Sequence, residues 1–202
     1  KPSFFPGKTL IFLDEVQAFP QALEALKYFC EDAPEYHIVV AGSLLGVALH
    51  AGVSFPVGKV QTLRLFPMDF EEFLMAMGEE QLLKLMHSHD YELMNAFHEK
   101  LKDLLRQYYY VGGMPEVVKA FVENKLLNQV RSLQNEILSN YASDFSKHAP
   151  SQEVPRIDMV WQSILGQLSK ENKKFVYGVL KKGGRAKEFE LAIQWLVDAG
   201  LV

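Results

Sequence analysis

The chain has 202 residues, of which 49% are apolar and 23% are charged, and this is the composition of a globular protein with a buried core. The net charge of −4 at pH 7 excludes a general electrostatic attraction to nucleic acid or to an anionic membrane, although a local basic patch is compatible with it. No apolar run is long enough to span a membrane and no signal peptide opens the chain, so we expect a cytoplasmic protein.

The single cysteine agrees with that location, because one thiol cannot build an internal disulfide framework. Cys30 lies among apolar residues of a predicted helix. We therefore expect its side chain to be a small buried hydrophobic group rather than a reactive thiol.

The first elements in chain order are a strand, a helix and a second strand. Residues 9–13 (TLIFL) form a short apolar run that ends in Asp14 and Glu15, which is the pattern of a buried parallel strand with polar function at its carboxyl end. A helical pattern follows over 21–32, and a second apolar run, HIVVAGS, covers 37–43. This spacing predicts a βαβ unit whose two strands lie parallel in one sheet.

The centre of the chain is predicted to be largely helical. After a looser stretch at 44–59, residues 60–66 (VQTLRLF) predict a third strand. Asp69 and Glu72 have the spacing of a capping box, which predicts the beginning of a helix. Further helices are predicted over 79–88, 90–110, 115–122 and 124–147.

Two breaks divide this helical part of the chain. Gly112 and Gly113 end one predicted helix, and Pro115 suits the first turn of the next. Residues 147–155 (KHAPSQEVP) form a predicted linker. Beyond it, 156–202 predicts a compact unit of helix-turn-helix type with three short helices, RIDMVWQSILGQLS, KKFVYGVLKK and AKEFELAIQWLVDAG.

The clearest chemistry lies in the two carboxylates at the end of the first strand. A magnesium–nucleotide site needs a hard oxygen ligand for the metal or its waters, and a base that orients the attacking water. Asp14 suits the metal and Glu15 suits the water, at the sheet edge where α/β folds bind their ligands. The alternative is a strand that runs into an ordinary acidic turn. Gln17 and the small polar end of the second strand, Gly42-Ser43, favour the functional interpretation.

The neighbouring Gly7-Lys8-Thr9 only imitates the end of a phosphate-binding loop. Such a loop surrounds the phosphates with backbone N–H groups and needs glycine at its first position, where this chain has Pro2. It must also open a helix, whereas the strand at 9–13 follows here. We therefore predict that this triplet forms a turn before a strand.

The chain resembles a large family of prokaryotic AAA+-type ATPases in five segments that occur in the order of that family: TLIFLDEVQ, HIVVAGS, PVGKVQTLRLFPMDFEEFL, YYYVGGMPEVV and GGRAKEFELAIQWLVDAGLV. Members join a P-loop ATPase core to a poorly characterised nuclease-like C-terminal domain. The resemblance implies that the phosphate-binding loop and another strand lie before Lys1, and that the nuclease-like domain lies beyond Val202. It implies an ATP hydrolase in the intact protein and an inactive fragment with weak or no nucleotide binding here.

The resemblance also assigns roles to individual residues. LDEVQ corresponds to the Walker B strand, so Asp14 would serve Mg²⁺ and Glu15 would activate water. AGS corresponds to the sensor 1 strand, so Ser43 would approach the γ-phosphate or the water. Lys59 stands where the family usually has the arginine of a Gly-Arg pair, and it keeps the charge but not the planar bidentate group.

The segment GGMP resembles the Gly-x-Pro element near the adenine in related ATPases. On that basis, Gly113 and Pro115 would line the nucleotide from a helical lid. The alternative interpretation is a plain turn between two helices.

Together these features predict an α/β fold, a truncated parallel P-loop NTPase sheet, followed by a mostly helical lid and a winged-helix-like unit. The predicted domains are a partial ATPase core at 1–75, a lid region at 76–150 and the winged-helix-like domain at 151–202. The function implied is an ATPase switch that uses ATP and Mg²⁺. The alternative function is a DNA-binding or protein-docking module without ATPase activity.

The predicted tail carries a group of basic residues, which a winged helix could place against phosphates. The last helix, however, also carries Glu188 and Glu190 beside a broad apolar face. A protein partner is therefore favoured over DNA for this unit. The basic residues are Lys173, Lys174, Lys181, Lys182, Arg185 and Lys187.

Overall fold

The computed structural model describes residues 4–44, 46–47, 56–172 and 174–202, and it is mostly helical with a small parallel sheet near its N-terminus. Two compact units are present: Lys1–Leu63 with Asp144–Val202, and Arg64–Ser143. The strands are β1 (Leu10–Leu13) and β2 (His37–Val40). The helices are α1 (Pro20–Asp32), α2 (Phe70–Ala76), α3 (Glu80–Ser88), α4 (Tyr91–Ala96), α5 (His98–Val111), α6 (Pro115–Asn124), α7 (Leu127–His148), α8 (Val154–Leu168) and α9 (Ala186–Asp198), with 3₁₀ turns at Val16–Ala18 and Tyr177–Val179.

The first unit begins with the predicted βαβ arrangement. Strands β1 and β2 pair in parallel, in a register that runs from Leu10 opposite His37 to Leu13 opposite Val40. Helix α1 connects them, which confirms the prediction of parallel strands joined by a helical crossover. Its apolar face buries Leu23 and Leu26 with Val16. Partly buried residues pack against this cluster, namely Ala22, Ile38, Val40 and Val60.

The tail of the chain also belongs to the first unit. Phe145, near the end of α7, is buried with its ring edge-on to Trp161 of α8 and Trp195 of α9, at centroid distances of 5.6 Å in both cases. Such edge-to-face aromatic packing stabilises a core beyond the area it buries. In the described part of 151–202 there is no β-strand, and the winged-helix-like assignment stays a prediction.

The second unit begins at the predicted capping box, which is confirmed. The carboxylate of Asp69 accepts a hydrogen bond from the backbone N–H of Glu72 at 2.9 Å, and the Glu72 carboxylate accepts one from the Asp69 N–H at 3.0 Å. Two donors at the start of α2 are thereby satisfied. The helix then buries Phe73 and Leu74 completely, each in a different hydrophobic cluster of this unit.

A backbone junction connects the start of α2 with the turn between α5 and α6. The N–H of Met68 donates to the carbonyl of Gly113 at 2.7 Å, and the carbonyl of Met68 accepts from the Tyr108 hydroxyl at 2.9 Å. The side-chain amide of Gln134 donates to the carbonyls of Tyr110 and Val111, which have no partner within α5. The turn is therefore fixed from two sides.

Several helix predictions are confirmed with small shifts, but two are wrong. The helix predicted over 90–110 is broken at Phe97 into α4 and α5. The second tail helix, KKFVYGVLKK, is replaced by a 3₁₀ turn at Tyr177–Val179, and Lys173 lies outside the described residues. Gly178 lies between Tyr177 and Val179, and a glycine inside a helix raises the entropic cost of forming that helix.

The third strand predicted over 60–66 is also wrong. The segment forms no strand with the described residues, and Leu63, Leu65 and Phe66 are mostly exposed. An apolar β-like pattern becomes a strand only when a neighbouring strand accepts its backbone hydrogen bonds. Residues 45 and 48–55 of the preceding loose stretch lie outside the described residues.

The prediction for Cys30 is wrong as well, because its side chain is exposed. Helix α1 buries only its Leu23 and Leu26 positions, and Tyr28, two residues before the cysteine, is exposed too. In the described part of the chain, no helix combines the length and the apolar character that a membrane crossing requires. The predicted domain boundaries after 75 and 150 stay a prediction.

Gly113 is predicted to be indispensable for the fold of the second unit. A Cβ atom at this position would lie 2.1 Å from the carbonyl oxygen and 2.9 Å from the nitrogen of Met68, both of which are backbone atoms that cannot turn away. Gly113→Ala should therefore lower the free energy of unfolding by about 3 kcal/mol, as overpacking does in a close-packed site. Urea unfolding followed by circular dichroism measures this loss.

Gly78 provides the matched control within the same unit. It has a φ of 77°, and a Cβ there would meet no atom within 4 Å. Gly78→Ala should cost only the left-handed backbone penalty of about 1 kcal/mol. Equal losses for the two variants would contradict a close contact between Gly113 and Met68.

Candidate functional site

The carboxyl end of β1 departs from regular pairing by one residue. The N–H of Ala41 donates to the carbonyl of Leu13 at 2.8 Å, as a parallel ladder requires. The register then predicts that the Ala41 carbonyl accepts from the N–H of Glu15, but it accepts from that of Val16 instead, at 3.0 Å. One extra residue therefore lies between the two hydrogen bonds that Ala41 makes with this segment, as in a β-bulge, although both strands end here and no pairing resumes beyond it. We call residues 14–16 the bulge.

This bulge determines how the two predicted carboxylates are presented. Glu15 has φ 50° and ψ 43°, a left-handed conformation that is uncommon for a residue with a Cβ atom. Val16 follows with 2% of its surface exposed and begins the 3₁₀ turn. Asp14 accepts a hydrogen bond from the Glu15 N–H at 3.0 Å. Both acidic side chains are exposed at the strand end. The backbone on either side of them is held by the hydrogen bonds of Ala41 to Leu13 and Val16.

The end of β2 lies beside this bulge. The Gln17 side-chain amide donates to the Glu15 carboxylate, and its oxygen is buried against Gly42. Ser43, the next residue, is exposed. The structure therefore brings together the predicted residues Asp14 and Glu15 with the segment that carries Ser43, at the edge where parallel sheets bind ligands. No role was predicted for the Gln17 side chain beyond its support for this interpretation.

The triplet Gly7-Lys8-Thr9 forms a turn that leads into β1, as the sequence predicts. The N–H groups of Lys8 and Thr9 both donate to the carbonyl of Phe5, and the Thr9 hydroxyl accepts from the Phe5 N–H at 2.8 Å. Gly7 has φ 69° and donates to the Glu35 carbonyl. Because all three N–H groups already donate to backbone carbonyls of Phe5 and Glu35, they are not arranged to surround a phosphate.

Lys59 lies toward the other end of α1. Its ammonium group is 3.3 Å from the carboxylate of Glu31, in the last turn of that helix. Glu31 lies about 16 Å along the helix from Pro20, near which the bulge residues are found. Gly113 and Pro115 belong to the second unit, where Gly113 contacts Met68 and Pro115 begins α6. The catalytic or nucleotide-binding roles of these residues stay predictions.

The oxygen donors at the bulge match what Mg²⁺ prefers. Asp14 and Glu15 supply hard carboxylate ligands, and Mg²⁺ commonly takes only one or two such groups while it keeps several waters. Among the described residues, no group of three or more histidine, cysteine, aspartate or glutamate side chains could hold a metal.

Comparison with known families agrees with this assignment of the N-terminal region. Residues 2–74 match the family model described as "AAA domain", which supports an AAA-type, P-loop ATPase-like relationship. Proteins with this domain in general depend on nucleotide and Mg²⁺. The match covers the bulge, Ser43 and Lys59.

The remainder of the chain provides the family assignment. Residues 102–202, half of the chain, match the family described as "Domain of unknown function (DUF8612)", and the chain belongs to this family. This match covers Gly113, Pro115 and the tail helices. No curated protein and no solved structure shows significant similarity to the chain.

The left-handed backbone of Glu15 has a measurable consequence. Glu15→Gly and Glu15→Ala both remove the carboxylate, but only glycine adopts φ 50° without a Cβ penalty. We expect the glycine variant to be more stable than the alanine variant by about 1 kcal/mol. Thermal and urea unfolding of the two purified variants measure this difference.

The same pair of substitutions at Glu24 is the control, because Glu24 is exposed in the middle of α1. In a helix interior the order reverses, and glycine should be less stable than alanine by about 1 kcal/mol. An alanine variant at position 15 that matches or exceeds the glycine variant would contradict the bulge.

Proposed function

We propose that the protein is an ATP-binding and ATP-hydrolysing switch of AAA type, in which this chain supplies the Walker B and sensor 1 elements. The observation that carries the proposal is the bulge at the end of β1, which exposes Asp14 and Glu15 beside the end of β2. Glu15 adopts a left-handed conformation between the two hydrogen bonds that Ala41 makes to Leu13 and Val16. An ordinary acidic turn does not require this arrangement. Strained backbone of this kind concentrates at functional sites.

In this proposal each residue has a separate task. Asp14 would hold Mg²⁺, which when bound would supply positive charge to the phosphate oxygens. Glu15 accepts a proton from the attacking water and fixes its direction. Ser43 offers a hydroxyl to the γ-phosphate or the water. Lys59 would contribute a cationic side chain away from these residues, toward the far end of α1, where it pairs with Glu31.

The second unit contributes to the proposal through its turn between α5 and α6. Gly113 and Pro115 would border the nucleotide from the helical lid. The contact of Gly113 with Met68 supports a rigid turn, which is a requirement for either a binding element or a structural one. The phosphate-binding loop needed for the reaction is not supplied by Gly7-Lys8-Thr9.

The decisive variant for this proposal is Glu15→Gln in the natural full-length protein. The amide keeps the size of the side chain but cannot accept a proton, so hydrolysis should fall by a factor of about 100 or more. Affinity for Mg-ATP should stay within about threefold of the wild type, because Asp14 is unchanged. Steady-state phosphate release and calorimetric titration with Mg-ATP measure the two quantities.

Glu24→Gln serves as the matched control, since Glu24 is an exposed glutamate of α1. It should leave both hydrolysis and affinity unchanged. A Glu15→Gln variant that hydrolyses ATP at the wild-type rate would refute the role of Glu15 and the proposed function with it.

A further inference from the structure

Gln17 links the two strand ends through its side-chain amide. Its nitrogen donates to the Glu15 carboxylate, and its oxygen lies against the α-carbon of Gly42. We propose that Gln17 is the positioning residue that orients the Glu15 carboxylate, and that Gly42 provides the space that this side chain needs. The inference rests on the proposed function, because it concerns the glutamate that acts on water.

The direction of the amide follows from chemistry. An ionised carboxylate only accepts hydrogen bonds, so the NH₂ group of Gln17 must face Glu15. The amide oxygen then points away from Glu15, and it is buried without a hydrogen-bond partner among the described residues. An unsatisfied buried oxygen costs free energy, which an apolar side chain of similar length would avoid. The amide is therefore explained by its bond to Glu15 and not by packing.

Glu15 needs such a partner because the bulge exposes it. An exposed glutamate samples many rotamers, and a base that directs water works best in one orientation. The bond from Gln17 engages Oε2 of Glu15 and leaves Oε1 for another donor. This hydrogen bond restricts the carboxylate without blocking it.

Gly42 is the matching element on β2. A Cβ atom there would lie 2.1 Å from the Gln17 oxygen and 3.2 Å from its Cδ, but at an ordinary 3.6 Å from Cγ1 of Val16. The φ of Gly42 lies outside the left-handed region, so its backbone accepts alanine. Gly42→Ala therefore displaces the flexible Gln17 side chain and leaves the backbone unstrained.

Nuclear magnetic resonance of the chain tests the contact without nucleotide. The side-chain NH₂ signals of Gln17, assigned through Gln17→Met, should shift in Glu15→Ala and also in Gly42→Ala. The NH₂ signals of Gln21, which is exposed at the start of α1, should stay in place in both variants. Gln17 signals that respond to neither substitution would overturn the proposal.

Kinetics of the full-length protein test the consequence. Gln17→Met should lower kcat about tenfold with the KM for ATP unchanged within about twofold, since positioning acts on the chemical step. Gly42→Ala should do the same. Because both act on one side chain, the double variant should be no slower than the slower single variant. Gln21→Met is the control and should keep the wild-type kcat.

The possible outcomes separate this inference from the proposed function. If Glu15→Gln abolishes hydrolysis while Gln17→Met and Gly42→Ala keep the wild-type kcat, the positioning role is refuted and the proposed function stands. Losses that multiply in the double variant would also refute the shared mechanism. Wild-type hydrolysis by Glu15→Gln would refute the proposed function itself. Thermal melting verifies that each variant is folded. The Gly42→Ala variant keeps the Gln17 side chain, so it tests the position of that side chain and not its chemistry.

Discussion

The peptide groups of Ala41 hold the end of β1 in the arrangement on which the site depends. Its N–H donates to the carbonyl of Leu13 and its carbonyl accepts from the N–H of Val16, so Asp14 and Glu15, beyond the end of β1, span the interval between these bonds. Val16 is then buried against α1, and Asp14 and Glu15 remain outside the ladder. A regular strand would alternate these side chains between the two faces of the sheet. The bulge instead presents both at the strand end.

A second junction joins two segments that are far apart in the sequence. Met68 uses its N–H on Gly113 and its carbonyl on Tyr108, so the segments PMDFEEFL and YYYVGGMP meet in one backbone contact. Both segments are therefore required by packing of the second unit, whatever they do for a ligand. A structural role of this kind and a nucleotide-binding role for Gly113 do not exclude each other, because a binding turn must also be rigid.

Local signals in the sequence predict much of the fold. The apolar runs around Asp14 and at 37–43 predict two buried parallel strands, and the parallel pairing is confirmed. The predicted burial is wrong, because Leu10, Phe12 and Val39 are exposed. The capping box at Asp69 is recognisable because both of its partners lie within one helical turn. The turn at Gly7-Lys8-Thr9 is predictable because a strand follows directly.

The predictions that are wrong concern features that depend on tertiary contacts. Residues 60–66 have the pattern of a strand but no strand to pair with among the described residues, and exposure of Cys30 depends on which face of α1 is covered. The bulge at Glu15 and the contact of Gln17 with Gly42 are settled by the opposing strand. No local pattern carries that information, although the small residue at the end of β2 is a signal that could have suggested a close approach.

The central claim is that Asp14 and Glu15 form the magnesium- and water-directing end of a nucleotide site. The most direct measurement is a crystal structure of the full-length protein with Mg²⁺ and a non-hydrolysable ATP analogue. We expect Asp14 to bind the metal or one of its waters, and Glu15 to lie within hydrogen-bond reach, roughly 2.6–3.2 Å, of the water in line with the γ-phosphate. A nucleotide bound away from the ends of β1 and β2 would contradict this assignment.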